Sequence, residues 1–358
     1  LGLLTPALYL PSIGIGHPPV KRGKTSVMQN RDKIALILAG GQIAHRREGS
    51  ARERIPLKWE ELKTFLPEEL HEEISPQEWS FQPLSHYTLR MCSDLVQLAA
   101  SQVKEGAKGV VVTCGTQALT ELAYFADLVW SFPQPLVFTA SIFNAGVPGS
   151  ETALHLAQSV QAALSEACWG QGAIVCVQDA LYAAADIIHF PNSSRSGFLS
   201  FPSGPLSTFS EPSGDLIPLR SPRRGKVLDV ETVPARVIEI VDASLGGGDV
   251  ILNALLDKRI EEVEGLVVAG FGNGEVPPSW VPLLRKILRT NIPVVLTSRC
   301  PAGCVQTYTD FEGSAAHLLE IGLLSGGGLS PLQARIRLAL ALGSGLKGKD
   351  LSDYLQDA

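Results

Sequence analysis

Short apolar strands alternate with helical segments along this chain, and that alternation restricts the fold more than any other feature. The first strand is predicted over Lys33–Ala39, where an unbroken apolar run stops at Gly40-Gly41. Such runs are typical of strands buried on both faces of a parallel sheet. Three more strands are predicted in the first half of the chain, at Gly109–Thr113, Pro135–Thr139 and Ala173–Val177. The helices predicted between them are Leu89–Glu105, Thr116–Val129 and Glu151–Ala167. Successive β–α units of this kind predict a parallel sheet with helices on both faces.

The same alternation resumes in the second half and predicts a further, smaller α/β domain. Its strands are expected at Val237–Val241, Gly265–Ala269 and Pro293–Thr297. Its helices are expected at Asp249–Asp257 and Val281–Arg289, and near 313–324, 330–342 and 348–356. Ligands bind at the carboxyl edge of open α/β sheets, so we expect the functional site in the loops that follow the strands.

A change of composition near the middle of the chain separates the two predicted domains. Residues 202–226 are rich in proline, serine and glycine and include a basic cluster of Arg220, Arg223, Arg224 and Lys226. A cluster of this size is more often a solvated surface than a binding patch. We interpret 206–232 as a linker between a first domain, 28–205, and a second domain, 233–358. Residues 1–27 place their basic side chains after an apolar stretch, the reverse of the order in a signal peptide, so we predict an N-terminal extension that is not central to the fold.

Composition excludes several classes of function. The formal net charge of −6 argues against a general binder of nucleic acid or of anionic membranes. No apolar run reaches the roughly 18–20 residues that a bilayer requires. The six cysteines show neither disulfide-framework nor convincing zinc spacing, which favours reduced thiols in a cytoplasmic protein without a metal. The glycine turns match neither the dinucleotide nor the phosphate-loop spacing, so no cofactor is expected.

Five stretches of this sequence together resemble the bacterial L-asparaginase family, especially its cytoplasmic type. They are LILAGGQIA (36–44), GVVVTCGTQALTELAYFADL (109–128), VAGFGNGEVP (268–277), TSRCPAG (297–303) and LSPLQARIRLALALG (329–343). They occur in the family's order and extend from about residue 33 to the end. The resemblance implies a flavodoxin-like parallel sheet in the first domain and a smaller α/β second domain.

The resemblance also implies a site at which this sequence departs from the family pattern. Family members use two threonines, one in a GGTIA turn and one in an HGTDT turn. Here the first turn reads Gly41-Gln42-Ile43, and glutamine has no hydroxyl with which to attack an amide carbon. The second turn keeps Thr116, but Gln117 stands where the family has an aspartate that binds the substrate's ammonium group. A neutral carboxamide cannot supply that ion pair.

Other family positions are also replaced. The catalytic lysine is expected near Glu166, and the tyrosine of the lid loop (about 44–56) corresponds to Arg54. The serine that binds the substrate carboxylate corresponds to Leu84 or Ser85, and an aspartate two positions beyond Leu84 to His86. The motifs of the scaffold persist while the site positions change together, which indicates an altered function.

Three functions stay open at this point. The first is an enzyme with different chemistry on an amide, imide or lactam, including biosynthetic cyclisation or condensation. The second is a non-catalytic protein that binds a metabolite or regulates a partner, and the third is residual amide hydrolysis. The candidate catalytic residues are Gln42, His86, Cys114, Thr116 and Glu166, and the candidate substrate contacts are Gly41, Arg54, Ser85, Gly115 and Gln117. Cys114 ends a predicted buried strand, where an inert packed thiol is the commoner outcome.

The resemblance further implies a homo-oligomer. Family members form intimate dimers, often dimers of dimers, in which the neighbour's second domain completes the site. Glu275 and Asp310 fall near the positions of such contacts. The expected partners are therefore a small molecule and further copies of this chain, with no nucleic acid and no membrane.

Overall fold

Eight strands of the first domain form one sheet. The computed structural model describes residues 32–47, 54–190, 194, 196–210 and 214–357. The first-domain strands are β1 (Ile34–Leu38), β2 (His45–Arg47), β3 (Arg54–Pro56), β4 (Ile74–Glu78), β5 (Gly109–Thr113), β6 (Leu136–Thr139), β7 (Ala173–Val177), β8 (Ala180–Ala183), β9 (Ile187–His189), β10 (Phe198–Ser200), β11 (Ser207–Phe209) and β12 (Leu216–Pro218). The large sheet has the order β12-β11-β8-β7-β6-β5-β1-β4. Its five strands from β7 to β4 are parallel, and the remaining three are added antiparallel at one edge.

Helices cover both faces of this sheet. The first-domain helices are α1 (Trp59–Leu62), α2 (Leu89–Lys104), α3 (Leu119–Val129) and α4 (Thr152–Leu164). Alternate residues of each parallel strand enter opposite cores: in β1, Ala35 and Ile37 pack with α2 and α3, whereas Ile34, Leu36 and Leu38 pack with α4. Burial on both faces explains why these strands read as unbroken apolar runs.

The second domain is a four-stranded parallel sheet with helices on its faces. Its strands are β13 (Ile238–Asp242), β14 (Gly265–Gly270), β15 (Val294–Ser298) and β16 (Leu324–Ser325), in that order. Its helices are α5 (Asp249–Lys258), α6 (Trp280–Leu288), α7 (Ala315–Glu320), α8 (Pro331–Gly343) and α9 (Gly348–Gln356). Helix α8 packs against this sheet and also against α3, so one apolar core continues through both domains.

The predicted two-domain α/β architecture is confirmed, and the structure differs mainly at the domain boundary. Residues 207–209 and 216–218, expected to be linker, form β11 and β12 at the edge of the first sheet. These strands are short and contain proline and serine, as edge strands often do, so they carry no apolar run that would predict them. The predicted N-terminal extension, 1–27, lies outside the described residues.

Candidate functional site

Three loops meet at the carboxyl edge of the first sheet. They follow β1, β4 and β5, which are neighbours with β1 in the middle. The chain leaves β1 to build β4 on one side and then β5 on the other. That reversal of direction is the topological switch point at which open α/β sheets bind ligands.

Two of these loops are in unusually close contact. A β-carbon added to Gly41 would lie 1.9 Å from the carbonyl oxygen of Cys114, and φ of Gly41 is +83°. A β-carbon on Gly115 would lie 2.3 Å from Oε1 of Gln117, because the Gln117 side chain folds back over its own loop. Glycine at position 41 therefore lets the loop after β1 approach the loop after β5.

A cavity of ≈ 230 Å³ lies where the loops meet. Its lining residues are Gly41, His45, Pro56, Phe81, Gln82, Pro83, Leu84 and Gln117. In the part of the chain that the structure describes, this lining includes no aspartate, glutamate, lysine or arginine. The polar groups that line it are an imidazole, two carboxamides and backbone.

His45 is the buried polar side chain of this lining. Its Nδ1 lies 2.5 Å from the carbonyl oxygen of Gly41, and because a carbonyl only accepts, Nδ1 carries the proton. The ring also packs edge-on against Phe81, with 5.9 Å between ring centroids. The short hairpin β2–β3 thus places an imidazole against the loop after β4.

The loop after β6 supports this hairpin from behind. The Ala145 amide donates to the carbonyl oxygens of His45 and Gln42, at 2.9 Å and 3.2 Å. The side-chain amide of Asn144 donates to the same His45 carbonyl at 3.4 Å. Gln42 is therefore held by its backbone next to Gly41, at the rim of the cavity.

A buried histidine joins the carboxyl ends of β6 and β7 beside this loop. His155 Nδ1 lies 2.7 Å from the Ala140 carbonyl oxygen and therefore donates to it, while Nε2 accepts from the Gln178 amide at 3.1 Å. Both bonds require a neutral ring, and burial lowers the pKa of His155. The Gln178 side chain in turn accepts from the Phe198 amide at 2.8 Å, which connects hairpin β9–β10 to the sheet edge.

The structure brings together some of the predicted site residues. Gly41 and Gln117 line the cavity, and Gln42, Gly115 and Thr116 are their immediate neighbours in the chain. Thr116 is half-buried and lies in the loop before α3, which begins at Leu119 rather than at Thr116. Ala118 is the N-cap of that helix and has a non-helical conformation.

Other predicted residues lie elsewhere. Cys114 is fully buried in the apolar core, and burial raises the pKa of its thiol, which opposes a nucleophilic role. Ser85 and His86 are exposed and are not among the residues that line the cavity. Glu166 is exposed in the turn that leads into the amino end of β7, at the opposite edge of the sheet. Arg54 pairs with Arg47 through its backbone in hairpin β2–β3, and its side chain is outside the described part.

Five lining residues were not named from the sequence: His45, Pro56, Phe81, Gln82 and Pro83. His45 directly follows the Gln42–Ala44 turn, so proximity in sequence was a usable signal for it. Phe81 and Gln82 follow β4, an edge strand in which Pro76 and Glu78 are exposed. The alternating pattern of β4 is interrupted by Pro76, and this hides both the strand and the loop that it positions.

The two candidate contacts of the second domain, Glu275 and Asp310, have different surroundings. The Glu275 carboxylate accepts from the Asn273 amide at 3.2 Å and stabilises the turn after β14. Asp310 is exposed in the long loop after β15.

Among the described residues, no group of three or more His, Cys, Asp or Glu side chains converges as metal ligands would. None of the described helices is both long enough and apolar enough to cross a membrane.

Comparison with known proteins agrees with this architecture over both domains. Residues 33–218 match the N-terminal asparaginase domain, and residues 237–355 match the C-terminal domain of glutaminases and asparaginases. An L-asparaginase of Bacillus licheniformis is 29% identical over 325 residues, which cover 88% of this chain and 98% of that protein. A subunit of the glutamyl-tRNA(Gln) amidotransferase of Methanobrevibacter smithii is 26% identical over 253 residues, which cover 68% of this chain and 56% of that protein.

A solved structure has the same fold. The crystal structure of a probable cytoplasmic L-asparaginase from Campylobacter jejuni superposes with a TM-score of 0.81 at 23% identity, covering 92% of this chain and 100% of that one. Because both of its domains are matched, in order and over nearly their whole length, this chain belongs to the asparaginase family.

Proposed function

We propose that the first-domain cavity binds a small, uncharged molecule with an amide, imide or lactam group, and that this chain acts on it by chemistry other than ordinary asparagine hydrolysis. One observation carries the proposal: the described lining of the cavity has no aspartate, glutamate, lysine or arginine. A free amino acid carries an ammonium and a carboxylate, and burying either without a charged partner is costly. An uncharged amide needs only hydrogen bonds.

The polar groups at the cavity suit such a ligand. Gln82 and Gln117 each offer a carboxamide that both donates and accepts, which matches the two ends of an amide. Donors aimed at a carbonyl oxygen also stabilise negative charge that develops there during reaction. Gln42 has no hydroxyl, so covalent catalysis from that position is excluded and Thr116 is the hydroxyl retained in the adjacent loop.

Hydrolysis of an amide at Thr116 is a second candidate. It is favoured by the names of the relatives, which include L-asparaginases and amidotransferase subunits. The catalytic groups of such sites act together, and loss of one nucleophile usually lowers the rate of hydrolysis by several orders of magnitude. This argues against hydrolysis as the main function. A non-catalytic binding protein is the third, and Gln42 is the residue that favours it.

One experiment separates these candidates. The full chain is incubated with L-asparagine, L-glutamine, succinimide, 2-pyrrolidone and N-acetyl-L-asparaginamide, while ammonia release, product mass and binding heat are followed. We expect binding of an uncharged compound that Gln117→Ala weakens and Ser85→Ala, an exposed change outside the cavity, does not. Hydrolysis releases one ammonia for each primary amide that is cleaved. Conversion of a compound without that release supports different chemistry, and binding of a compound without its conversion supports the non-catalytic protein.

Two results would contradict the proposal. One is ammonia release from L-asparagine at the rate of an ordinary asparaginase, abolished by Thr116→Val. The other is preferred binding of L-asparagine over every uncharged compound. Either result would place this chain with its amide-hydrolysing relatives.

We further propose that the chain forms a homodimer through its second domain. The loops after β13 and β15 carry exposed apolar side chains, with Leu245 94% and Tyr308 82% exposed. Apolar side chains this exposed mark interaction surfaces when they cluster at one edge of a sheet. Light scattering on Leu245→Glu, with Leu154→Glu in the first domain as the matched control, tests this. A monomeric wild-type protein contradicts the proposal.

A further inference from the structure

A second and larger cavity, of ≈ 420 Å³, lies between the two domains. Its walls come from helix α3, from residues 223–227 of the interdomain connection, from the glycine loop 326–328 and from the C-terminal helices. The volume lies in the range of about 300–1,000 Å³ that is typical of small-molecule sites. It is separate from the first-domain cavity and shares no lining residue with it.

The charges of this interdomain cleft are unbalanced. Two carboxylates line it, and each already has a guanidinium partner: Asp127 pairs with Arg224 at 2.9 Å, and Asp186 pairs with Arg220 at 2.6 Å. Three further cations line it, Arg223, Lys226 and Arg337. Among the described residues, no carboxylate lies within ion-pair distance of these three.

One of these cations is fixed in place by uncharged partners. Arg337 is 2% exposed, and its guanidinium donates to the carbonyl oxygens of Tyr354 and Asp357. It also lies over the Tyr354 ring, 4.3 Å from the centroid. Neutral groups satisfy its hydrogen bonds, and its charge also interacts with the Asp127 carboxylate, which is already paired with Arg224.

The other two cations are exposed at the mouth of the cleft. Arg223 and Lys226 flank Arg224, which is anchored by its bonds to the Asp127 carboxylate and to the carbonyl oxygens of Asp127 and Trp130. The Lys226 amide donates to the Asp357 carboxylate at 2.7 Å, which fixes this segment to the end of α9. The backbone that carries the two exposed cations is therefore held in position.

We propose that the interdomain cleft binds a small molecule with one or more oxyanion groups, either phosphate or carboxylate. The ligand's anionic group lies between Arg223 and Lys226 and in the positive field of Arg337. Arginine and lysine together provide bidentate and point-charge contacts to such groups. Because the cleft is formed by both domains, a bound anion connects them.

The test uses the full chain and three probes: inorganic phosphate, pyrophosphate and citrate. Calorimetric titration at low ionic strength is expected to show saturable binding of at least one probe. Arg223→Gln with Lys226→Gln should weaken that binding about tenfold or more, the size expected from losing charge-assisted hydrogen bonds. Preference for pyrophosphate or for citrate distinguishes a phosphate ligand from a carboxylate ligand.

A matched control removes two positive charges elsewhere. Lys286→Gln with Arg289→Gln changes exposed residues at the end of α6 and should bind the probe as the wild type does. Equal weakening in both double variants would show a general effect of net charge and would overturn the proposal. So would the absence of saturable binding for all three probes. The first-domain cavity provides a fold check, because its binding of uncharged compounds should be unchanged in either variant.

Discussion

The α-carbon of Gly41 is packed so closely against the carbonyl of Cys114 that a β-carbon would approach its oxygen to 1.9 Å. This contact joins the loop after β1 to the loop after β5 beneath the first-domain cavity. Gly41 also has φ of +83° and ψ of 168°, a combination open essentially to glycine alone.

Gly41→Ala is therefore expected to destabilise the fold by at least about 2–3 kcal/mol, through backbone strain and steric overlap together. Urea unfolding measures the change. Gly170→Ala is the matched control, since Gly170 has φ of +73° but no atom within 4 Å of an added β-carbon. Equal losses in the two variants would show that the close contact between the loops contributes nothing.

Cysteine reactivity should follow burial. Cys92, Cys114, Cys168 and Cys176 are buried, and Cys300 and Cys304 are exposed. Burial raises the pKa of Cys92, Cys168 and Cys176 to about 12. Burial also raises the pKa of Cys114, so all four thiols stay protonated. A chromogenic disulfide reagent should modify two thiols in the native protein and six after denaturation. If peptide masses show that Cys114 is modified rapidly in the native protein, Cys114 becomes a candidate nucleophile again.

A single charge introduced at the cavity should change its ligand preference. Gln117→Asp places a carboxylate in the lining, and an ammonium-bearing ligand gains an ion pair there. We expect L-asparagine to bind about tenfold more tightly, with N-acetyl-L-asparaginamide gaining little. Gln117→Asn keeps the shorter side chain without the charge and is the control. Equal binding of L-asparagine by the Asn and Asp variants would contradict the proposed preference of this cavity for uncharged ligands.

Stability should fall in mildly acidic solution because of His155. Burial lowers the pKa of this imidazole in the folded protein below its ordinary value of 6.5. The neutral ring therefore stabilises the fold above that pH. As the pH drops through 6.5 the unfolded chain takes up the proton first, and up to about 1.4 kcal/mol of unfolding free energy is lost per pH unit.

His155→Gln is expected to reduce this pH dependence, since a carboxamide both donates and accepts at any pH. The measurement is the free energy of unfolding in urea at pH 7.5 and at 5.5. His86→Gln, at an exposed position, should keep the slope of the wild type. An unchanged slope in His155→Gln would show that other groups control the acid sensitivity.

Most of the strands predicted from the sequence are buried parallel strands; the half-exposed edge strand β13 was predicted as well, whereas the buried antiparallel strand β8 was not. All seven predicted strands lie within one residue of expectation at each end, for example Gly109–Thr113 and Ala173–Val177. Burial on both faces imposes an apolar run on six of them, and that run is visible in sequence. Strands β4, β11 and β12 are half-exposed at the sheet edges, so solvent removes that requirement.

The candidate site was predictable where it adjoins a buried strand. Gly41 and Gln117 follow β1 and β5, and the structure places both at the cavity. Phe81 and Gln82 depend on the position of β4 beside β1, which only the folded sheet reveals. Glu166 was expected at the site from the resemblance to the family's lysine position, but the helix before it returns the chain to the amino edge of the sheet.

The lining of the first-domain cavity comes from one continuous stretch of the chain. Every described residue that forms it lies between Gly41 and Gln117, whereas the interdomain cleft begins at Tyr124. Ligand preference can therefore be exchanged between homologues as a single gene segment, leaving the cleft and the second domain untouched. Chimaeras in which only residues 41–117 are replaced would therefore be enough to transfer ligand specificity between proteins with this fold.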